Sequence, residues 1–287
     1  MVEAEQGKIV HWDRAYLKNK SKIDELMSFL RENTGFVEEH RKIATIKLVG
    51  NVTLGRDKLY FLFLDALNAG GGSSLKRNGE ACTKMVECLN KIASTPTVSF
   101  KEFYRTVVPG YKKLVFDNNK KEISKHLFES LRTEFVNFKF KKAALFMKEL
   151  HDAQIYGGCR IFHDIEASEI YLPIPLDVVI SEVISQVLGF ECPDIAHRVV
   201  APVDGQRFTE WAQRNVGEEY YLIEDLWFWG YFGLGRPEKQ GYRAIGLNEA
   251  KFSTCPWAFP PTLEPIRGKV NEFRKILEMP ASYRTEG

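Results

Sequence analysis

Two adjacent lysines, Lys141 and Lys142, stand near the middle of this 287-residue chain, at the expected start of a helix. A lysine amine is a nucleophile, able to form a Schiff base, only when its nitrogen is neutral. Burial and nearby positive charge both lower a lysine pKa, and Lys139 and Lys141 could supply such charge beside Lys142. The simpler interpretation is that both are solvated lysines in a first helical turn, where the helix dipole mildly disfavours them.

A second candidate group is the carboxylate of Asp177, which follows two prolines in the segment Pro173-Ile-Pro-Leu-Asp177. Asp177 could stabilise a positive charge that develops during a reaction and help to activate an amine. It also stands at the N-cap position of a predicted apolar helix that ends before Gly189, where a cap is worth about 1 kcal/mol. The two roles are compatible, because capping would fix the position of the carboxylate.

Two aromatic residues lie one helical turn from these polar groups. Phe146 is four residues after Lys142, and Trp229 is four residues after Asp225, so each pair shares a helix face. An aromatic ring beside a polar group suits the binding of a flat ring. The alternative is that Leu222–Phe232 is simply an aromatic core helix.

The central part of the chain predicts a helical hairpin. Apolar residues at helical spacing indicate one helix over Lys120–Phe135 and a second over Lys141–His151, joined by the short connector Val136–Phe140. An irregular stretch, Gly157–Leu172, follows. Similar patterns predict helices at Ser21–Arg31, after a cap at Asp57, and at Ala81–Ala93, Gln206–Asn215, Leu222–Phe232 and Glu264–Met279, with Gly233–Thr262 irregular. The predicted fold class is all-α, in two packed halves.

Charge is distributed unevenly although the net charge is only +2. Lys112 to Lys142 holds nine basic and four acidic residues, whereas Asp177 to Asp225 holds ten acids and three arginines. This asymmetry fits a protein with one side that faces a polyanion. The alternative is that the helices carry solvated faces of one sign.

Composition excludes several classes of protein. Charged residues make up 27% and apolar residues 44%, which is ordinary for a globular protein and rules out wholesale disorder. The apolar run from Leu59 to Ala69 is too short for a membrane span, and no secretion signal is recognisable. The five cysteines form no C-x-x-C pair, so neither a zinc site nor a disulfide framework is favoured. We expect an intracellular protein with no membrane association and no metal or other cofactor.

Three motifs in order resemble the helix-hairpin-helix DNA glycosylase superfamily, and most closely its archaeal 8-oxoguanine branch. Lys142-Ala-Ala-Leu-Phe146 is similar to the Lys-x-x-x-Phe of that branch, and Leu172-Pro-Ile-Pro-Leu-Asp177 to its Pro/Asp box. Asp225-Leu-Trp-Phe-Trp229 resembles its Asp-x-x-x-Trp helix, which runs toward Gly-Arg, here Gly235-Arg236. The match covers about residues 120–236.

The resemblance implies a fold, an activity and roles for residues. It implies two helical subdomains within one unit of residues 1–287, with the hairpin and Pro/Asp box at 119–190 and the base-pocket helix at 206–236. The activity implied is DNA base excision with β-elimination lyase activity on an oxidised purine such as 8-oxoguanine. Lys142 would be the nucleophile, with Lys141 the fallback, and Asp177 the activating carboxylate. By the same resemblance, Phe146 and Trp229 would stack on the extruded base and Asp225 would hydrogen-bond its edge.

Further implications concern partners. Damaged double-stranded DNA would be the substrate, with Lys139 and Lys141 on its phosphates, and the protein would act as a monomer.

The usual hairpin of the superfamily carries glycines two and four residues before the lysine, where this chain has Phe140 and Phe138. A second family lysine, seven residues after the first, is replaced here by Glu149. Two alternatives remain open: a non-catalytic helix-hairpin-helix protein that binds DNA or an abasic site, and a helical interaction protein.

Overall fold

A computed structural model describes residues 12–69, 75–108, 119–188, 202–237, 243–254 and 263–279. These residues are mostly helical, which confirms the all-α prediction at the level of fold class. The α-helices are α1 (Lys20–Glu32), α2 (Thr34–Val49), α3 (Gly55–Asn68), α4 (Leu75–Leu89), α5 (Phe100–Val107), α6 (Lys120–Glu134), α7 (Phe140–Ile155), α8 (Val178–Leu188), α9 (Pro202–Val216), α10 (Leu226–Gly233), α11 (Glu249–Thr254) and α12 (Leu263–Glu278). The described elements also include two 3-10 helices (Ala167–Glu169 and Gly217–Asp225) and an antiparallel pair of short strands, β1 (Leu234–Pro237) and β2 (Arg243–Ile245), and residues 12–18 are helical ahead of α1.

The chain divides into two compact units. Unit one contains the described residues up to Glu38, those within Leu176–Asp204, and those from Glu210 onward. Unit two runs from Glu39 to Pro175 and includes the single turn Gly205–Thr209 of α9. Of the predicted base-pocket segment 206–236, the first four residues therefore belong to unit two and the rest to unit one, whereas α6 and α7 both belong to unit two.

Unit two is built around the predicted hairpin of α6 and α7. Phe128 on α6 meets Phe140 on α7 edge to face, with ring centroids 5.3 Å apart, so the two helices pack against each other. Helix α3 lies antiparallel to α7: its first turn reaches the end of α7, where Lys58 Nζ donates to the carbonyl oxygen of Gly158 at 2.9 Å. Both predicted helices are present, and α7 starts one residue earlier and ends four residues later than expected.

The loop after α7 is held by one side chain. Gln154 is buried, and its Nε2 donates to the carbonyl oxygens of Phe162 (3.1 Å) and Ile165 (2.7 Å). Its Oε1 accepts from the backbone N–H groups of Ile161 (3.0 Å) and Phe162 (2.9 Å). The Gln154 amide thus satisfies backbone groups that a neighbouring strand would satisfy in a sheet. The strand pairing of this segment is an isolated parallel bridge between Val98 and Phe162.

Unit one packs α1, α8, α10 and α12 together. Gly230 on α10 comes so close to α8 that a Cβ placed there would lie 2.4 Å from a methyl carbon of Val179. Lys22 on α1 is buried, and its Nζ donates to the carbonyl oxygens of Gln186 (3.3 Å), Leu277 (2.9 Å) and Met279 (2.7 Å). One lysine thus satisfies orphan carbonyls at the C-terminal ends of α8 and α12.

Several sequence predictions were wrong in detail. Asp57 does not cap its helix, because α3 already begins at Gly55 and the N-cap is Leu54. The predicted helix over Leu222–Phe232 is a 3-10 helix up to Asp225 and α-helical only beyond it. The segment Gly233–Thr262, expected to be irregular, contains the two strands and α11. Gly189, expected just after the end of α8, lies outside the described residues.

Candidate active site

The N-terminus of α7 presents the predicted lysines. Lys139 is the N-cap residue in an extended conformation, its side chain is exposed, and its carbonyl oxygen accepts from Ala143 N at 3.0 Å. The side chain of Lys139 makes no capping hydrogen bond at this helix end. The first backbone N–H groups of α7 therefore lie beside Lys139, Lys141 and Lys142, an arrangement that favours an anion.

Lys142 combines partial exposure with a hidden amine. The residue as a whole is partly exposed, but its Nζ is closed off from solvent and has no hydrogen-bond partner. Burial, and secondarily the positive charge of Lys141, lower the pKa of Lys142. Both causes are those that the sequence predicted, although the contribution expected from Lys139 is not among them. The amine is shifted toward its neutral, nucleophilic form.

The hairpin turn is made without the glycines of the resembled family. Asn137 adopts a left-handed conformation with φ of 63°, which asparagine tolerates better than most residues. Its Nδ2 donates to Oδ1 of Asn78 on α4 at 2.8 Å, which fixes the turn. Phe138 and Phe140, at the glycine positions, are buried and anchor the turn to the core.

Phe146 follows Lys142 by one turn of α7, but its ring lies inside the core. It is fully buried and meets Phe63, Phe103 and Phe138 edge to face, with centroid distances of 6.0, 6.4 and 6.1 Å. The structure thus brings Lys142 and Phe146 onto one helix of unit two. It also shows that the ring serves as a core residue in this conformation.

Asp177 caps α8, as its position predicted. Its Oδ1 accepts from the backbone N–H of Ile180 at 2.9 Å, and its carbonyl oxygen accepts from Ser181 N at 2.9 Å. The residue is buried. The capping bond fixes the orientation of a carboxylate that the sequence singled out for chemistry.

Asp225 and Trp229 lie in unit one, at the start and in the middle of α10. Both are buried, Asp225 at 1% and Trp229 at 0% exposure. Trp229 meets Phe29 and Phe228 edge to face at centroid distances of 5.0 Å each. Its Nε1 is buried without a hydrogen-bond partner. A buried indole N–H usually finds an acceptor, so this donor stands out in an otherwise apolar setting.

The structure groups the predicted site residues by unit. Lys139, Lys141, Lys142 and Phe146 belong to unit two. Asp177, Asp225 and Trp229 belong to unit one. Within each unit the members lie on one or two short helical segments.

Part of the predicted basic stretch is neutralised internally. Lys120 pairs with Glu169 at 3.3 Å, and Arg132 pairs with Glu129 at 2.7 Å while lying over the ring of Phe128. Exposed positive charge in this stretch includes Lys121 on α6 and Lys139 at the start of α7. Lys121 and Lys139 both lie at the N-terminus of a helix.

Sequence reasoning missed a cluster of ionisable side chains in the second half of α7. Lys148 Nζ lies 3.1 Å from Oδ2 of the buried Asp152, and His151 Nδ1 lies 3.3 Å from its Oδ1. The pKa of Asp152 is lowered, although its burial acts in the opposite direction, because Lys148 and His151 favour the charged carboxylate. Burial lowers the pKa of the adjacent His40 to about 4. The sequence signal was only the run of charged residues along one helix, which indicated a solvated face.

Comparison with protein-family models, with curated proteins and with solved structures finds no match for this chain. Among the described residues, no group of three or more histidine, cysteine, aspartate or glutamate side chains could hold a metal ion. In the same part of the chain, every helix is too short or too polar to cross a membrane.

Proposed function

We propose that this protein is a DNA base-excision repair glycosylase with β-elimination lyase activity, in which Lys142 forms a Schiff base with the deoxyribose of the damaged nucleotide. The observation that carries the proposal is the state of Lys142. Its Nζ is hidden from solvent, makes no hydrogen bond and has a lowered pKa, at the start of the second helix of a helical hairpin. A structural lysine is expected either to extend its amine into water or, like Lys22, to donate it to carbonyl oxygens.

The chemistry requires a neutral amine. The Lys142 nitrogen attacks C1′ of the sugar, the bond from C1′ to the base breaks, and the base leaves with the bonding electrons and takes up a proton. The C1′–O4′ bond then breaks and O4′ takes up the remaining proton of the Lys142 nitrogen, so that the sugar ring opens and leaves an imine. Removal of a proton from C2′ then allows the C3′–O bond to break, which cuts the strand.

Binding of duplex DNA would use the positive end of the hairpin. Backbone N–H groups at the start of α7 and the side chains of Lys139 and Lys141 are the groups suited to phosphate oxygens. The exposed Lys121 adds charge at the start of α6. An oxidised purine such as 8-oxoguanine is the lesion that the sequence motifs favour.

A second candidate is favoured by the burial of the two predicted stacking rings. Phe146 and Trp229 are both fully buried among other aromatic side chains. A protein that engages an abasic site, where no base has to be held, would need neither ring to open toward a ligand. On this alternative Lys142 meets the aldehyde of the base-free sugar.

Borohydride trapping tests the proposal. The protein is incubated with a duplex that carries 8-oxoguanine, or an abasic site, and borohydride is added to reduce any imine to a stable protein–DNA bond. We expect a covalent band with the wild type and with Lys141→Ala, and none with Lys142→Ala. A band on the abasic duplex alone supports the second candidate. Absence of a band on both duplexes with folded wild-type protein rejects lysine chemistry on DNA.

A further inference from the structure

The first turn of α9 packs against the start of α7. Gly205 on α9 lies so close to Phe140 that a Cβ placed on it would be 2.4 Å from two carbons of the phenyl ring. An atom at that distance would overlap the ring, so a larger residue at position 205 requires something to move. Both residues are buried, and both belong to unit two.

The ring of Phe140 has little room to move. It meets the ring of Phe128 edge to face, with centroids 5.3 Å apart, and the guanidinium of Arg132 lies 5.2 Å from its centroid. Arg132 is fixed in turn, because it also lies over Phe128 and is bound to Glu129 at 2.7 Å. A methyl group at Gly205 would therefore press on the backbone at the start of α7 and not on a mobile side chain.

Thr209 joins the same turn of α9 to the segment Pro173–Pro175. Its Oγ1 donates to the carbonyl oxygen of Gly205 at 3.0 Å and accepts from the backbone N–H of Ile174 at 3.0 Å. Thr209 is fully buried, and Ile174 stands between two prolines, which have no N–H of their own. One hydroxyl group thus binds the backbone of this segment to the glycine that touches Phe140.

The contact concerns the candidate nucleophile because Phe140 is the first residue of α7 and Lys142 is the third. The hydrogen-bonded backbone of a helix moves as a unit, so a displacement of Phe140 would carry Lys142 with it. The Lys142 amine is closed off from solvent and has no hydrogen-bond partner to hold it there. Its exclusion from water therefore depends on where this turn of the helix lies.

We propose that Gly205 and Thr209 are positioning residues for the chemistry at Lys142, because they hold the first turn of α7 where the amine stays out of water. The effect on the reaction rests on the proposed function, whereas the effect on the amine does not. When the contact is lost, the turn shifts, water reaches the nitrogen and more of it is protonated at a given pH. The amine is then a poorer nucleophile.

The charges around α7 stay constant in the test of this proposal. Lys141 is the charged neighbour that acts on the pKa of Lys142. The ionisable groups on elements beside α7 include Lys58 and Asp65 on α3, Lys120 and Arg132 on α6, Glu169 on the 3-10 helix and Arg207 on α9. Uncharged substitutions at Gly205 and Thr209 alter none of these charges. A shift in the titration of Lys142 would therefore report a change in its burial.

The titration of Lys142 can be followed without DNA. Nuclear magnetic resonance of isotope-labelled lysine side chains gives the titration midpoint, and the spectrum of Lys142→Arg identifies the signal. We expect a midpoint at higher pH in Gly205→Ala and in Thr209→Val than in the wild type. Thr209→Ser, which keeps the hydroxyl group, should titrate like the wild type.

Gly55→Ala is the matched control within unit two. A Cβ at Gly55 would lie 3.1 Å from the backbone nitrogen of Val98, so this change also strains the packing. Gly55 begins α3 at the opposite end of α7, where Lys58 is bound to Gly158. Gly55→Ala should lower stability and leave the Lys142 midpoint in place. The proposal is overturned if Gly205→Ala titrates like the wild type, or if Gly55→Ala moves the midpoint as far.

Borohydride trapping on the abasic duplex tests the consequence for the reaction. The acid limb of its pH profile should move to higher pH in Gly205→Ala and Thr209→Val, and stay in place in Thr209→Ser. At a fixed pH below that limb, the trapping rate should fall about tenfold for each pH unit of the shift. A shifted midpoint with an unshifted limb refutes the effect on the reaction. If the wild type never traps DNA although the midpoint shifts, the proposed function fails and the positioning of the amine stands.

Discussion

The ring of Phe63 stacks on the ring of Phe138, with centroids 4.6 Å apart and an interplanar angle of 22°. Phe138 stands where the usual hairpin of the resembled superfamily has a glycine, four residues before the lysine. The hairpin is therefore tied to the core by a side chain at a position where a glycine would leave the backbone bare. Any partner of the hairpin would therefore contact the start of α7 and not the turn.

Removal of the Phe138 ring should destabilise unit two strongly. Phe138→Ala takes out a fully buried ring that contacts Phe63, Phe135 and Phe146, and large-to-small changes of this kind cost about 3–5 kcal/mol. Denaturant unfolding measures the loss. Val136→Ala, at the exposed valine of the same turn, should change stability by less than about 0.5 kcal/mol. Equal effects of the two changes would contradict the anchoring role.

Replacement of Lys142 by methionine should leave the fold intact or stabilise it. The Lys142 amine is hidden from solvent without a hydrogen-bond partner, so its removal relieves a desolvation cost and breaks no hydrogen bond. We expect a free energy of unfolding equal to or above that of the wild type, together with complete loss of borohydride trapping. Marked destabilisation would show that the amine has a structural role instead.

Lys22 should behave in the opposite way. Lys22→Met leaves the carbonyl oxygens of Gln186, Leu277 and Met279 without their shared donor. Hydrogen bonds to a charged group are worth about 1.5–3 kcal/mol, so the variant should lose at least about 2 kcal/mol in unfolding experiments.

The neighbouring Lys20 provides the matched control for this change. Lys20 is exposed and forms an ion pair with Asp24 at 2.7 Å. Exposed pairs contribute little, so Lys20→Met should leave stability almost unchanged. A similar loss in both variants would argue against helix-end capping by Lys22.

Stability should fall on acidification because of His40. Its folded-state pKa is lowered from 6.5 to about 4, so the contribution of the neutral ring is present above pH 6.5 and is lost as the pH falls toward 4. The folding equilibrium constant should drop by up to about tenfold per pH unit in this interval. His40→Gln should flatten the curve, whereas His163→Gln, at an exposed histidine, should not. Parallel curves for wild type and His40→Gln would contradict the assignment.

Local patterns in the sequence predicted the helices. They did not predict which residues contact one another in the folded protein. The hairpin and the capping role of Asp177 follow from helical periodicity and from a polar residue before an apolar run. The strands β1 and β2 were missed, since glycine and proline at this density predict irregular structure.

The candidate site was predicted in part. A lowered pKa at Lys142, with Lys141 contributing, was expected from adjacent charge and burial. The fully buried states of Phe146 and Trp229 could not be read from their spacing, since a ring on a helix face packs inward or outward according to its tertiary neighbours.

The hold of Gln154 on the loop after α7 has a consequence for local unfolding. The amide protons of Ile161 and Phe162 are bonded to a side chain of α7 and not to a strand ladder. These amide hydrogens can exchange with solvent only when their bonds to Gln154 break. Their exchange therefore depends on the unfolding of the C-terminal end of α7. A segment without regular secondary structure should therefore exchange its amide hydrogens as slowly as the last turn of α7, so that loop and helix form one cooperative folding unit.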